Sequence, residues 1–153
     1  MKQLTIIGFA IFSTLFFNDI KIQWEADLAG DFSFSKKQTM ICEAWCYEFA
    51  GCTEIFAKRL SKDSIVCYTL PNAATHSTLH FYIVQDKITN PRIELNSITG
   101  TTKTYTCKEG SMKIDTKLMQ KKVLKAVFEM QFNHDENPSK RMFWKGKMYT
   151  KIK

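Results

Sequence analysis

The sequence predicts an α+β fold, with one main helix set against a curved antiparallel sheet and a β-rich C-terminal meander. Three observations predict it. Ile41, Trp45 and Phe49 recur every fourth residue, with Cys42 and Cys46 one position further along the same side, the spacing of one buried helical face. Leu124, Ala126, Phe128, Met130 and Phe132 occupy every second position, the period of a half-buried strand. Four of the five cysteines, Cys42, Cys46, Cys52 and Cys67, crowd around the expected helix, as in small domains stapled by disulfides.

Taken in chain order, a short basic start and the apolar run over residues 4–17 have the layout of a signal peptide, although no clean small-x-small cleavage pair follows. The run is shorter than the roughly 20 residues a spanning helix needs, so no stable membrane anchor is expected. Residues 20–24 alternate and predict a first strand. Residues 29–31 read as a turn and 32–34 as a short extended piece, after which Ser35 can cap the helix. Gly51 offers the helix exit, because glycine tolerates the left-handed conformation that turns the chain back. Strands are then expected over residues 53–57 and 65–70, separated by a polar turn, and over 79–84. Residues 92–98 and 101–107 flank Gly100 as a hairpin. Met112, Ile114 and Leu118 alternate with polar residues, and after the 124–132 strand a polar loop leads to Met142, Trp144, Met148 and Ile152 on one face of the last strand.

Cysteine count and charge bound the function. An odd total leaves one cysteine unpaired or paired to another chain, and Cys107, remote from the cluster, is the natural candidate. Zinc is not expected, since no C-x2-C occurs and the cluster lacks properly spaced histidines. Residues 1–100 carry nine Lys/Arg against ten Asp/Glu, whereas residues 101–153 carry thirteen against five. A net +8 half on a secreted chain points to acidic polymers such as sulfated glycans. Lysines on the solvent face of strands, serving solubility and edge protection, are the plainer account.

The cysteine setting resembles the PAN/apple family, especially its short nematode-type branch, over residues 28–86. The residues that carry the resemblance are Gly30-Asp31-Phe32-Ser33-Phe34-Ser35, Cys42-Glu43-Ala44-Trp45-Cys46, Gly51-Cys52-Thr53-Glu54-Ile55-Phe56 and Cys67-Tyr68-Thr69-Leu70. The resemblance implies a nested pairing of Cys42 with Cys67 and Cys46 with Cys52. Together with the leader and the basic half, it makes the expected division of the chain a signal peptide (1–17), a disulfide-stapled module (18–88) and a basic antiparallel β extension (89–153). It also implies a non-catalytic extracellular unit that recognises proteins or carbohydrates.

Catalytic chemistry finds little purchase. His76-x3-His80 falls where a loop enters a strand, so its helical spacing loses meaning, and His134 sits in a polar loop beside Asp135 and Glu136. No G-x-S-x-G, Walker A or H-E-x-x-H motif occurs. The expectation is therefore no enzyme, no cofactor, no metal and no nucleic-acid partner. Trp144 and Tyr149, interleaved with Lys145 and Lys147, are the candidate ligand contacts, because aromatic rings flanked by cations stack on sugars. The expected function is a secreted binding module for protein or carbohydrate, with acidic glycans drawn to the basic half. The competing reading is a secreted α+β carrier, cystatin-like or cone-shaped, enclosing a small apolar ligand. A small secreted hydrolase is a third reading, which would need convergent titratable groups in a pocket.

Overall fold

A computed structural model describes residues 19–34, 38–45, 54–71, 77–96, 100–134, 139 and 141–153. Nine strands dominate these residues: β1 (Ile20–Glu25), β2 (Met40–Trp45), β3 (Phe56–Arg59), β4 (Ser64–Tyr68), β5 (Ser77–Val84), β6 (Lys87–Asn96), β7 (Thr102–Asp115), β8 (Val123–Phe132) and β9 (Met142–Lys151). One five-residue helix, α1 (Thr116–Gln120), links β7 to β8. The fold is thus mostly β, and the α+β expectation is corrected.

The strands form one sheet in the order β2-β9-β8-β7-β1-β6-β5-β4-β3. The sheet curls until its ends meet. Beyond β9, Ile152 bridges Ala57 of β3 in parallel, with Lys153 N–H donating to Ala57 O (3.0 Å) and Arg59 N–H to Lys153 O (2.7 Å). β2 pairs with β9 over residues 143–148, so β2 and β3 follow one another along the same edge of the last strand.

β1 is a wedge. β6 and β7 pair antiparallel over residues 92–96 and 102–106, then splay apart. Into the gap β1 inserts, antiparallel to β6 at Ile20 and Lys21 and parallel to β7 from Ile22 to Glu25. A bulge between Cys107 and Glu109 bends β7 at the splay point. A second irregularity lies opposite Phe81, where Asn90 takes φ 49° and Pro91 has no N–H to give the ladder.

Alternation decides what fills the interior. Leu124, Ala126, Phe128, Met130 and Phe132 on β8 all point inward and are buried, as the period-2 pattern predicts. Trp144, Met148, Met40, Met112, Phe81, Leu79, Ile88 and Ile93 join them from the other strands. The expected strands over residues 20–24, 79–84 and 124–132 are present, as is the hairpin around Gly100.

The expected helix is a strand. Met40 and Ala44 are buried and Cys42 is half-buried on one side of β2, while Ile41, first residue of the expected helical stripe, is 45% exposed. Both periods coexist in this short stretch. The free edge of β9, offering six consecutive partners from Phe143 to Met148, selects the extended one. Tertiary pairing here overrides local pattern. Phe49 and Gly51 lie outside the described residues, as do the leader, Ser35 and His76.

The disulfide framework is likewise corrected. Cys67 and Cys107 are free thiols, and no disulfide is formed among the described residues. Cys67 sits on β4 between Ala57 and Phe81, whereas Cys42 sits on β2 opposite Gly146. Cys42 and Cys67 therefore sit on different strands with no cross-strand partner in common, and packed core takes the place of the expected staple. Cys46 and Cys52 lie outside the described residues.

Candidate functional site

Among the described residues, two clefts stand out on the outside of the curled sheet. The larger, about 570 Å³, crosses the outer face of β7, β8, β9 and β2. Odd-numbered residues of these strands point into it: Lys113, Val127, Glu129, Lys145, Lys147 and Glu43, joined by Asp31. Its three cations are matched by three carboxylates. Lys145 pairs with Glu43 at 3.0 Å, Lys113 with Glu25 at 2.8 Å and Glu129 with Arg141 at 3.7 Å. Lys147 donates to Asp31 O at 3.1 Å. Hydrogen bonds from Ser33 hold the Asp31 carboxyl below its ordinary range, with Lys147 adding to the effect.

The expected ligand contacts do not converge. Lys145 and Lys147 line this groove, with Lys145 over the Phe143 ring at 5.3 Å and Lys147 over Phe32 at 5.7 Å. Tyr149 lies further along the same outer face, 40% exposed and tilted against Phe34. Trp144 faces the other way and is fully buried in the interior.

The second cleft, about 410 Å³, lies at the seam where β3 meets the tail of β9. Thr39 builds its floor, donating through its hydroxyl to Ile55 O (3.1 Å) and accepting from Ile55 N–H (2.8 Å). One wall is aromatic. Phe56 and Tyr68, directly opposed on β3 and β4, stack with centroids 5.5 Å apart, and Tyr68 stacks in turn on His80 of β5 at 6.1 Å. The other wall is basic. Lys58, Lys151 and Lys153 are exposed and make no ion pair among the described residues, and Glu54 is the one side-chain carboxylate on the lining.

Beyond the aromatic wall, His80 approaches Glu94 at 3.5 Å and Thr78 Oγ1 at 3.2 Å, while Arg92 Nε donates to Glu94 at 2.8 Å. Burial, aided by Arg92 and opposed by Glu94, holds the His80 imidazole below its ordinary pKa, so it is neutral near pH 7.

No family model, curated protein or solved structure matches this chain.

Nothing among the described residues assembles a reactive centre. Burial drives the Cys67 thiol far above its ordinary pKa and pushes Cys107 up to about 11, so neither is a ready nucleophile at neutral pH. No cluster of three or more His, Cys, Asp or Glu that could hold a metal occurs among the described residues. Phe56, Tyr68, Lys58, Lys151 and Lys153 are not among the ligand contacts expected from the sequence. Aromatic residues at outward positions of β3 and β4 were a usable signal, but no local pattern brings β3 to residue 152.

Proposed function

We propose that the chain is a secreted, non-catalytic binding protein whose seam cleft takes an acidic carbohydrate. The observation that carries the reading is the meeting of three lysines, without an ion pair among the described residues, with the Phe56–Tyr68 wall. A sulfate or carboxylate is drawn by unneutralised cations, and the apolar face of a pyranose packs on aromatic carbon. The groove holding Lys145 and Lys147 is larger, yet its charges already cancel, so it offers an anion little net attraction. A basic leader and apolar run support the extracellular location. Against the carrier reading stands the interior, occupied by Trp144, Phe81, Phe128 and five methionines of the chain itself.

The test is retention on a heparin column at low salt, with elution by rising salt. Wild-type protein is expected to be retained. Replacing Lys58, Lys151 and Lys153 together by Gln weakens binding to a sulfated oligosaccharide about tenfold or more, each exposed cation contributing up to about 1 kcal/mol. Replacing Lys145 and Lys147 leaves it nearly unchanged. Wild-type flow-through at low salt, or the opposite ranking of the two variants, overturns the assignment.

A further inference from the structure

The seam is one end of a longer feature. Phe56, Tyr68, His80 and Arg92 occupy directly opposed positions on β3, β4, β5 and β6, so their side chains form a straight row across four strands on the outer face. The ring-to-ring steps of 5.5 and 6.1 Å follow the spacing of adjacent strands, about 4.8 Å. All four side chains are only partly exposed.

Charge is unevenly distributed along the row. At the seam end stand Lys58, Lys151 and Lys153, with no ion pair among the described residues; in the middle are neutral rings; at the far end Glu94 neutralises Arg92. A ligand matched to this surface is therefore anionic at one end and uncharged beyond it. A single-stranded nucleic acid, with a phosphate at every step, would need a cation at every step.

Resting on the seam reading above, we infer that the ligand lies across the strands: a linear oligosaccharide with its acidic sugar among the three lysines and further, neutral sugars over Tyr68 and His80. The step between strands is of the order of one pyranose in an extended chain, so successive sugars meet successive strands. The seam supplies the charge and the row supplies length selectivity. His80 is thereby a positioning and specificity residue for the distal sugars, one that a ligand confined to the seam never touches.

The experiment compares binding of singly sulfated cellobiose and terminally sulfated cellohexaose to the full chain by calorimetry, with an oligothymidylate as a third ligand. Cellohexaose is expected to bind about tenfold tighter than cellobiose. His80→Ala removes that gain, bringing the two affinities together, and Lys151→Gln weakens both sugars alike. The length comparison uses unaltered protein, so it stands even where a variant folds poorly. Equal affinities for the two sugars overturn the across-strand arrangement and leave the seam intact. Failure of both sugars to bind at low salt overturns the seam reading and this one with it. Tighter binding of the oligothymidylate overturns the choice of sugar.

Discussion

Cys42 stands directly opposite Gly146 on the neighbouring strand, and a methyl group at position 146 would come within 2.8 Å of the Cys42 Cα. It would also collide with the carbonyl oxygen of Ile41. The backbones of β2 and β9 therefore approach as closely as they do because residue 146 has no side chain. Two backbone contacts cannot yield as a flexible side-chain tip could. Gly146→Ala is expected to destabilise the fold by about 1–3 kcal/mol, as overpacking does, read as a lowered midpoint in urea unfolding. An unchanged midpoint would mean that β2 does not pack on β9 as described.

Cys67 and Cys107 give a second expectation. Site-resolved labelling with a thiol reagent at pH 8 should modify Cys107 slowly and Cys67 only upon global unfolding. With its pKa near 11, Cys107 is ionised in only about one molecule in a thousand at that pH. Cys67 has no exposed surface at all. Recovery of Cys42 and Cys67 in one bridged peptide would contradict the strand placement of both.

What the sequence revealed and concealed follows from the range of the interactions. The alternation over residues 124–132 and the Gly100 hairpin are local, and both appear as expected. β2 has a helical pattern in sequence because Met40, Cys42 and Ala44, its inward residues, include two small side chains that make a faint period-2 signal beside Ile41 and Trp45. The larger side chains favour a helix, and only the edge of β9 settles the matter. The seam was hidden more deeply. It needs Ala57 to meet Ile152, a pairing between segments remote in sequence that no spacing encodes. Lys145 and Lys147 carry the right chemistry, but the Glu43 carboxylate and the Asp31 carbonyl that hold them come from a strand and a loop whose register no local pattern encodes.

Asp115 yields a pH dependence. Its carboxylate accepts from Leu118 N–H (2.9 Å), capping α1, and from Leu28 N–H (3.0 Å), and Lys125 lies at 3.8 Å. Burial pushes the carboxyl upward, but the two N–H donors and the lysine outweigh it, so it titrates below its ordinary range. A carboxyl depressed in the folded state contributes stability that is complete above its unfolded value, about 3.9, and is lost as pH falls through the folded one. Unfolding free energy should therefore drop as pH falls below about 4, and Asp115→Asn should flatten part of that slope. At pH 7, Asp115→Ala should cost about 2 kcal/mol, as loss of a cap and of the Leu28 anchor.

Trp144 separates the interior from the ligand surface. Its ring is fully buried between the cross-strand partners Ala44 and Met130, and its indole N–H finds no hydrogen-bond acceptor among the described residues. Two opposing effects follow for substitution. Trp144→Ala empties a large core volume and should cost about 3–5 kcal/mol. Trp144→Phe loses one ring of packing but also removes a buried donor whose desolvation is uncompensated, a penalty of about 1–3 kcal/mol. The Phe variant should therefore lie within about 1 kcal/mol of the parent by urea unfolding. In a protein whose other tryptophans, Trp24 and Trp45, are replaced by Phe, emission from Trp144 should be blue-shifted, resist iodide quenching and stay constant when a sulfated sugar binds. Sensitivity to iodide or to the sugar would return Trp144 to the outer surface and remove the distinction between packed interior and binding seam.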